Sequence, residues 1–324
     1  MSGSRNAFAV IVLLALPLLT GSDYLLHLLV LCVLFSILAL SYNVTLGYIG
    51  ELSLGHSAFF GIGAYASAIV SVRYGFSFWS GIFLGVTVAA AVGLVIGVAT
   101  LRIKGPQFAI VTLGLGGIMH LVCSHWVGLT NGPMGITRIP PPTPIGLGEL
   151  VVSFDTARSF YYLALMFLVV IIAICAVTRQ SRLGRAFVSV RENDHLAASV
   201  GVDVFTTKLA AFVISTAMAG LGGVLYAHYM RVISPDVFGV HYVVAMLIMV
   251  TAGGRGTILG PIVGAVIYVV LLELLRPVGA LRLIAFGVIL AVCVIKFPDG
   301  IVGFLSRRNL LRRMPSRMDR KSAA

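Results

Sequence analysis

RQSRLGRAFVSVRENDHLAASVGVDVFTTK, residues 179 to 208, carries eight ionisable Arg, Lys, Asp and Glu side chains in a chain that has only 23 Lys and Arg and 11 Asp and Glu in all. Long apolar runs flank it on both sides. Each charge near the centre of a bilayer costs roughly 2.5 to 3.5 kcal/mol by insertion scales, so a segment this charged cannot lie in lipid. It must stand in water between two segments that do not.

Outward from this segment, composition sets the class. Of 324 residues 59% are hydrophobic and only 10% charged, with a mean hydropathy of +1.05, whereas soluble domains carry about 25% charged residues. The apolar runs are long and do not alternate, which suits spanning helices of ~20 residues rather than barrel strands of ~10. The fold expected is an all-α integral membrane protein, a polytopic bundle of about ten transmembrane helices. Their approximate spans are 7 to 20, 25 to 46, 55 to 72, 78 to 100, 106 to 127, 159 to 178, 209 to 230, 239 to 252, 257 to 275 and 281 to 297. The first is broken by Pro17 and also resembles a signal-peptide core, but no small-x-small cleavage site follows it, so it is kept as a helix. The transmembrane domain is expected over 1–306, with a basic tail over 307–324. Despite a net charge of +12, the cluster RRNLLRRMPSRMDRK (307–321) reads as a juxtamembrane anchor facing anionic lipid rather than a nucleic-acid site.

Topology follows from the charges. With a cytoplasmic N-terminus, ten helices leave only six of the 23 Lys and Arg outside: Arg73, Arg138, Arg158, Arg231, Arg276 and Arg282. The positive-inside rule then puts both termini and segment 179–208 in the cytoplasm. The Gly- and Pro-rich loop 128–158 falls outside. Its Pro140, Pro141, Pro142 and Pro144 forbid a regular helix and favour an extended or turn-rich cap, either a plain connector or a docking or gating element. Helices 1 to 5 and 6 to 10 begin on opposite sides, the arithmetic of a 5+5 inverted repeat, a frequent transporter plan. Similarity between the halves is faint, so the repeat rests on topology alone.

NVTLGYIGELSLGHSAFFGIGAY, residues 43 to 65, is the second unusual stretch, because Gly47, Gly50, Gly55, Gly61 and Gly63 punctuate it beside polar residues. Such backbone at membrane depth is tolerated where it is buried in protein or lines a water-filled cavity, so one continuous helix is not expected. Two readings stay open. Small residues can serve close helix packing, or Asn43, Ser53, Gly55, His56, Ser57, Gly61, Gly63 and Tyr65 can contribute to a pathway or its gate.

Other features point away from catalysis within this polypeptide. Cys32, Cys123, Cys175 and Cys293 each fall in an apolar run without CxxC, and the histidines lack ligand spacing, so no metal site is expected. GGRG at 253–256 matches no phosphate-binding motif and reads as a tight turn. Glu273 and Arg276 suit a one-turn ion pair. There is no Walker motif, no GxSxG and no paired-carboxylate pattern. Carboxylates inside the bundle are nearly absent, which argues against ion coupling and for energy supplied by another subunit. Segment 179–208 offers a surface for one: Asn193 or Asp194 can cap a short helix over about 194–200, and Gly201 suits the left-handed position that ends it. Its apolar side chains then need a partner's groove, unless they rest on lipid.

GELSLGHSAFFGIGAYASA (50–68), LGRAFVSVRENDHLAASVGVDVFTTKLAAFVIS (183–215), AGLGGVLYAHY (219–229) and GGRGTILGPIVGA (253–265) together resemble the permease subunits of the branched-chain amino acid ABC importers. The resemblance implies a multi-pass protein of the bacterial inner membrane, paired with a second and usually different permease chain. Two cytoplasmic ATPases, binding ATP and Mg, drive it, and an extracytoplasmic binding protein delivers Leu, Ile or Val; no cofactor belongs to this chain itself. Ala197, Ala198 and Gly201 match the importer coupling motif of two alanines followed by a glycine. Where many importers place Glu directly before the alanines, this chain has Leu196, with Glu192 and Asp194 nearby; Arg185 and Arg191 complete the coupling-loop candidates. Related permeases carry urea, short amides or other amino acids. An alternative of a different class is a stand-alone secondary transporter or channel with 43–65 as its whole pathway. A membrane-bound enzyme lacks any catalytic constellation.

Overall fold

The computed structural model describes residues 16–17, 21–103, 105–147, 150–277, 287, 300–301 and 303. Within them the chain is a bundle of helices. In chain order these are α1 (Asp23–Asn43), α2 (His56–Tyr74), α3 (Phe78–Thr100), α4 (Pro106–His125), the single turn α5 (Val127–Thr130), α6 (Ala157–Gln180), α7 (Arg182–Glu192), α8 (Asp194–Ser199), α9 (Val204–Met230), α10 (Val240–Gly253) and α11 (Leu259–Leu274). Five are long and apolar enough to cross a membrane: α1 with its extension to Tyr48, α3, α4, α6 and α9; α10 and α11 are shorter and apolar. An all-α, multi-pass membrane protein is what these spans describe. All but residues 16–17 and 287 of the expected helices over 7–20 and 281–297, the tail 307–324 and Cys293 lie outside the described residues.

The helices start and stop where local chemistry directs. Ser77 and Thr156 cap α3 and α6 by accepting from the amides of Ser80 and Ser159. Pro106 opens α4, where its missing N–H has no helical partner to lose. The chain α9 begins at Val204, five residues before the expected start, because Asp203 accepts from the amide of Thr206 and carries the helix into a polar stretch. Segment 179–208 differs more from expectation. Besides the expected short helix it contains α7, capped by Ser181 and amphipathic, with Gly184, Phe187 and Val190 buried.

Packing places α9 at the centre. It lies against α2, α3 and α1, while α1 also meets α6 and α11. Small residues set the closest crossings: a Cβ at Gly63 of α2 would strike the backbone of Gly220 in α9, and one at Gly223 would strike the carbonyl of Phe60. Helices in lipid gain association through such close backbone approach, because lipid tails supply no hydrophobic drive. At one end the loop 128–158 forms an extended cap. Its strand β1 (Ile136–Thr137) pairs antiparallel with β4 (Val232–Ile233) after α9, and β2 (Ile145–Leu147) pairs with β3 (Leu150–Val152). His228 Nδ1 donates to the carbonyl of Pro140 at 2.7 Å, fixing the proline run to the end of α9. Cys123 and Cys175 are buried, and Glu273 pairs with Arg276 at 3.4 Å.

Candidate functional site

The two unusual stretches of sequence meet at the opposite end of α9. α1 does not run straight into α2: its last residues widen into a π turn over Val44–Tyr48, the chain is irregular over 49–55, and α2 starts at His56. Gly50, at φ +78, makes the turn that a side chain would resist. Asn43 holds this broken end in place. Its Oδ1 accepts from the amide of Gly256 at 2.9 Å and its Nδ2 donates to the carbonyl of Thr257 at 2.8 Å, so the tight turn after α10 is clamped to α1. Thr45 donates to Ser215 of α9 at 2.6 Å, and Ser215 donates to the carbonyl of Ser41 at 2.5 Å.

Segment 179–208 reaches the same place. Arg191, in the last turn of α7, donates through Nη1 to the carbonyl of Gly47 at 2.9 Å, while its Nη2 pairs with Glu192 at 2.6 Å. The ammonium of Lys208, near the start of α9, lies 2.7 Å from Glu51 and 2.7 Å from Asp194. The Lys208 and Glu51 side chains keep only 7% and 12% of their exposure. Removing Lys208 would leave two shielded carboxylates without a cation, whereas removing either carboxylate leaves a balanced pair. Neither Lys208 nor Glu51 belonged to the residues expected here. They stand 157 positions apart, and no local pattern links them.

α8 is fixed at both termini by local bonds. Asn193 Oδ1 accepts from the amides of His195 and Leu196 at 2.9 and 3.1 Å. Gly201, at φ +86, closes the other end: its amide bonds Ala198 and that of Val202 bonds Ala197, both at 3.0 Å, the Schellman arrangement. Ala197 faces inward and is buried, whereas Leu196 is 65% and Val200 77% exposed. Arg185 is also exposed and donates to the carbonyl of Gln180 at 3.3 Å. A rigid short helix thus turns an apolar edge away from the body of the chain.

The residues considered for a pathway or gate are all buried. Ser57, Gly61 and Tyr65 lie on one stripe of α2 and grip Phe238 of the turn Pro235–Phe238. Ser57 donates to its carbonyl at 3.1 Å, a Cβ at Gly61 would strike its ring, and Tyr65 stacks on it at 5.6 Å. Gly55 sits against the carbonyl of Thr112 in α4. His56 accepts or donates through Nε2 to Ser41 at 3.2 Å and packs on Tyr42, while its Nδ1 and the hydroxyl of Ser53 have no partner among the described residues. In this conformation the stripe serves packing. Among the described residues no group of three or more His, Cys, Asp or Glu is placed to hold a metal ion.

The described residues thus form a multi-pass helical membrane bundle with a capped, outward-facing short helix tied to a broken span. Residues 24–295 match the family described as "Branched-chain amino acid transport system / permease component", and the chain belongs to that family. It is 33% identical to the high-affinity branched-chain amino acid transport system permease protein LivM of Salmonella typhimurium, over 83% of this chain and 68% of that one. It is likewise 33% identical to LivM of Escherichia coli K12, over 84% and 68%. To the permease protein LivH of Escherichia coli K12 it is 26% identical, over 72% and 79%. No solved structure matches the chain.

Proposed function

We propose that this chain is the transmembrane permease subunit of an ATP-binding-cassette importer that moves branched-chain amino acids across the inner membrane. The observation that carries the proposal is α8: a helix capped by Asn193 and Gly201 that leaves Leu196 and Val200 uncovered. Apolar side chains kept rigid and uncovered suit a groove on a partner, here the ATPase subunits that bind ATP and Mg. Both LivM and LivH are named as permeases of branched-chain amino acid systems, which supports a second, different permease chain beside this one and a binding protein that delivers substrate.

Ten spans with both termini in the cytoplasm fit this reading. The support is the charge count: with α8 in the cytoplasm only six of the 23 Lys and Arg fall on the far side. The inverted repeat has support too. α1 starts beside the cap, where His27 meets Tyr229, and the chain turns back through its break into α2, whose Arg73 lies by Arg138; α9 starts at the opposite end and turns back through its break into α10, and the two units touch where Ser57 donates to the carbonyl of Phe238.

ATP-driven closure of the ATPases pushes on α8 and tilts the flanking helices, opening the closed stripe on α2 alternately to either face while substrate passes unchanged. The test is uptake into proteoliposomes holding the permease pair, ATPases and binding protein. ATP-dependent Leu uptake, competed by Ile and Val but not by urea, is expected; gradient-driven flux through this chain alone would overturn the assignment.

A further inference from the structure

We infer that Lys208 is a positioning residue that relays movement of α8 to the broken end of α1. The inference rests on the importer reading above and extends it to residues that reading does not use. Three observations carry it. Asp194 is the first residue of α8, so a carboxylate attached to the helix that meets the partner is bonded to Lys208 at 2.7 Å. The same ammonium holds Glu51, inside the irregular stretch 49–55, at 2.7 Å. A second tie runs in parallel, from Arg191 to the carbonyl of Gly47 at 2.9 Å.

The arrangement is poorly explained as a stability device. A shielded ammonium between two carboxylates keeps a net negative charge, and apolar side chains of similar volume commonly hold such a place at no loss of stability. What the bridge does supply is a fixed distance. α8 cannot move relative to 49–55 without stretching bonds to a charge that has little access to water. The far side of 49–55 leads within one residue to His56 and Ser57, the start of the stripe that grips Phe238. The bridge therefore joins the docking helix to the closed part of the bundle by side chains of opposite charge, where the chain itself would take the long route through α9.

The experiment uses the whole complex in proteoliposomes, with ATP hydrolysis and amino acid uptake measured side by side. In Glu51→Gln and Asp194→Asn the side chains keep their shape and lose their charge. Both complexes are expected to assemble, and Glu51→Gln, which lies off the docking helix, to hydrolyse ATP within about twofold of the unsubstituted rate, while in both uptake per ATP falls about tenfold and the KM for substrate holds. Lys208→Arg is expected to retain coupling within about threefold, and Lys208→Met to lose it. Should Lys208→Met fail to assemble, the two isosteric variants still decide. Uptake and hydrolysis falling in proportion, or neither changing, overturns the relay. Absence of ATP-driven uptake in the unsubstituted complex overturns the importer reading itself, and the relay with it.

Discussion

At Gly201 an added Cβ would meet no atom within 4 Å, so what forbids a side chain is the backbone, held at φ +86. A left-handed conformation costs an ordinary L-residue roughly 1 to 2 kcal/mol, and Asn tolerates it best. Gly201→Val should therefore loosen the end of α8 and lower uptake per ATP by roughly tenfold, whereas Gly201→Asn should retain most of it; the two ratios, measured in one reconstituted complex, check this. Asp203 presents a different single-residue case. Bonds from the amide and hydroxyl of Thr206 hold its carboxyl below its ordinary value of 3.8. With the folded value depressed, the cap stabilises fully above the ordinary value and is lost as pH falls through the lowered one. Thermal unfolding in detergent should show Asp203→Ala less stable at pH 7 and the gap closing as the pH falls below 3.8.

The element on which the proposed docking rests is α8, and both its ends follow from local sequence. Asn193 and Gly201 are residue types whose side-chain bonding and backbone freedom act within a few positions, so the helix over 194–199 was legible without knowledge of the fold. α7 was not. Its Phe187 and Val190 stand among charges, and what fixes them is burial against α9 and the π turn, contacts that no window of sequence contains. The break after α1 lies between these cases: the glycines announce an interruption, yet the π turn and the clamp by Asn43 depend on Gly256, more than 200 residues away. Leu196 and Val200 are exposed on the chain, so Leu196→Asp and Val200→Asp should leave the permease folded and, on the proposed docking, reduce co-purifying ATPase severalfold; a pull-down against the unsubstituted chain measures it.

Across the whole molecule the long apolar spans were readable because length and hydropathy in lipid leave few alternatives. Which polar residues would line a passage was not, since burial is decided by neighbours brought from elsewhere: Phe238 on Ser57, Gly61 and Tyr65, Thr112 on Gly55. With that stripe packed shut, the chain alone in liposomes should pass no Leu, and flux should require the second permease and ATP. The cap at the other end has a consequence for biogenesis. Ile136 of β1 pairs with Ile233 of β4, and Pro140 accepts from His228, so each waits for a segment made roughly 100 residues later. At 5 to 20 residues per second the ribosome supplies it after roughly 5 to 20 s. The loop is made long before it has anything to fold upon, and this end of the bundle is among the last parts of the protein to take shape.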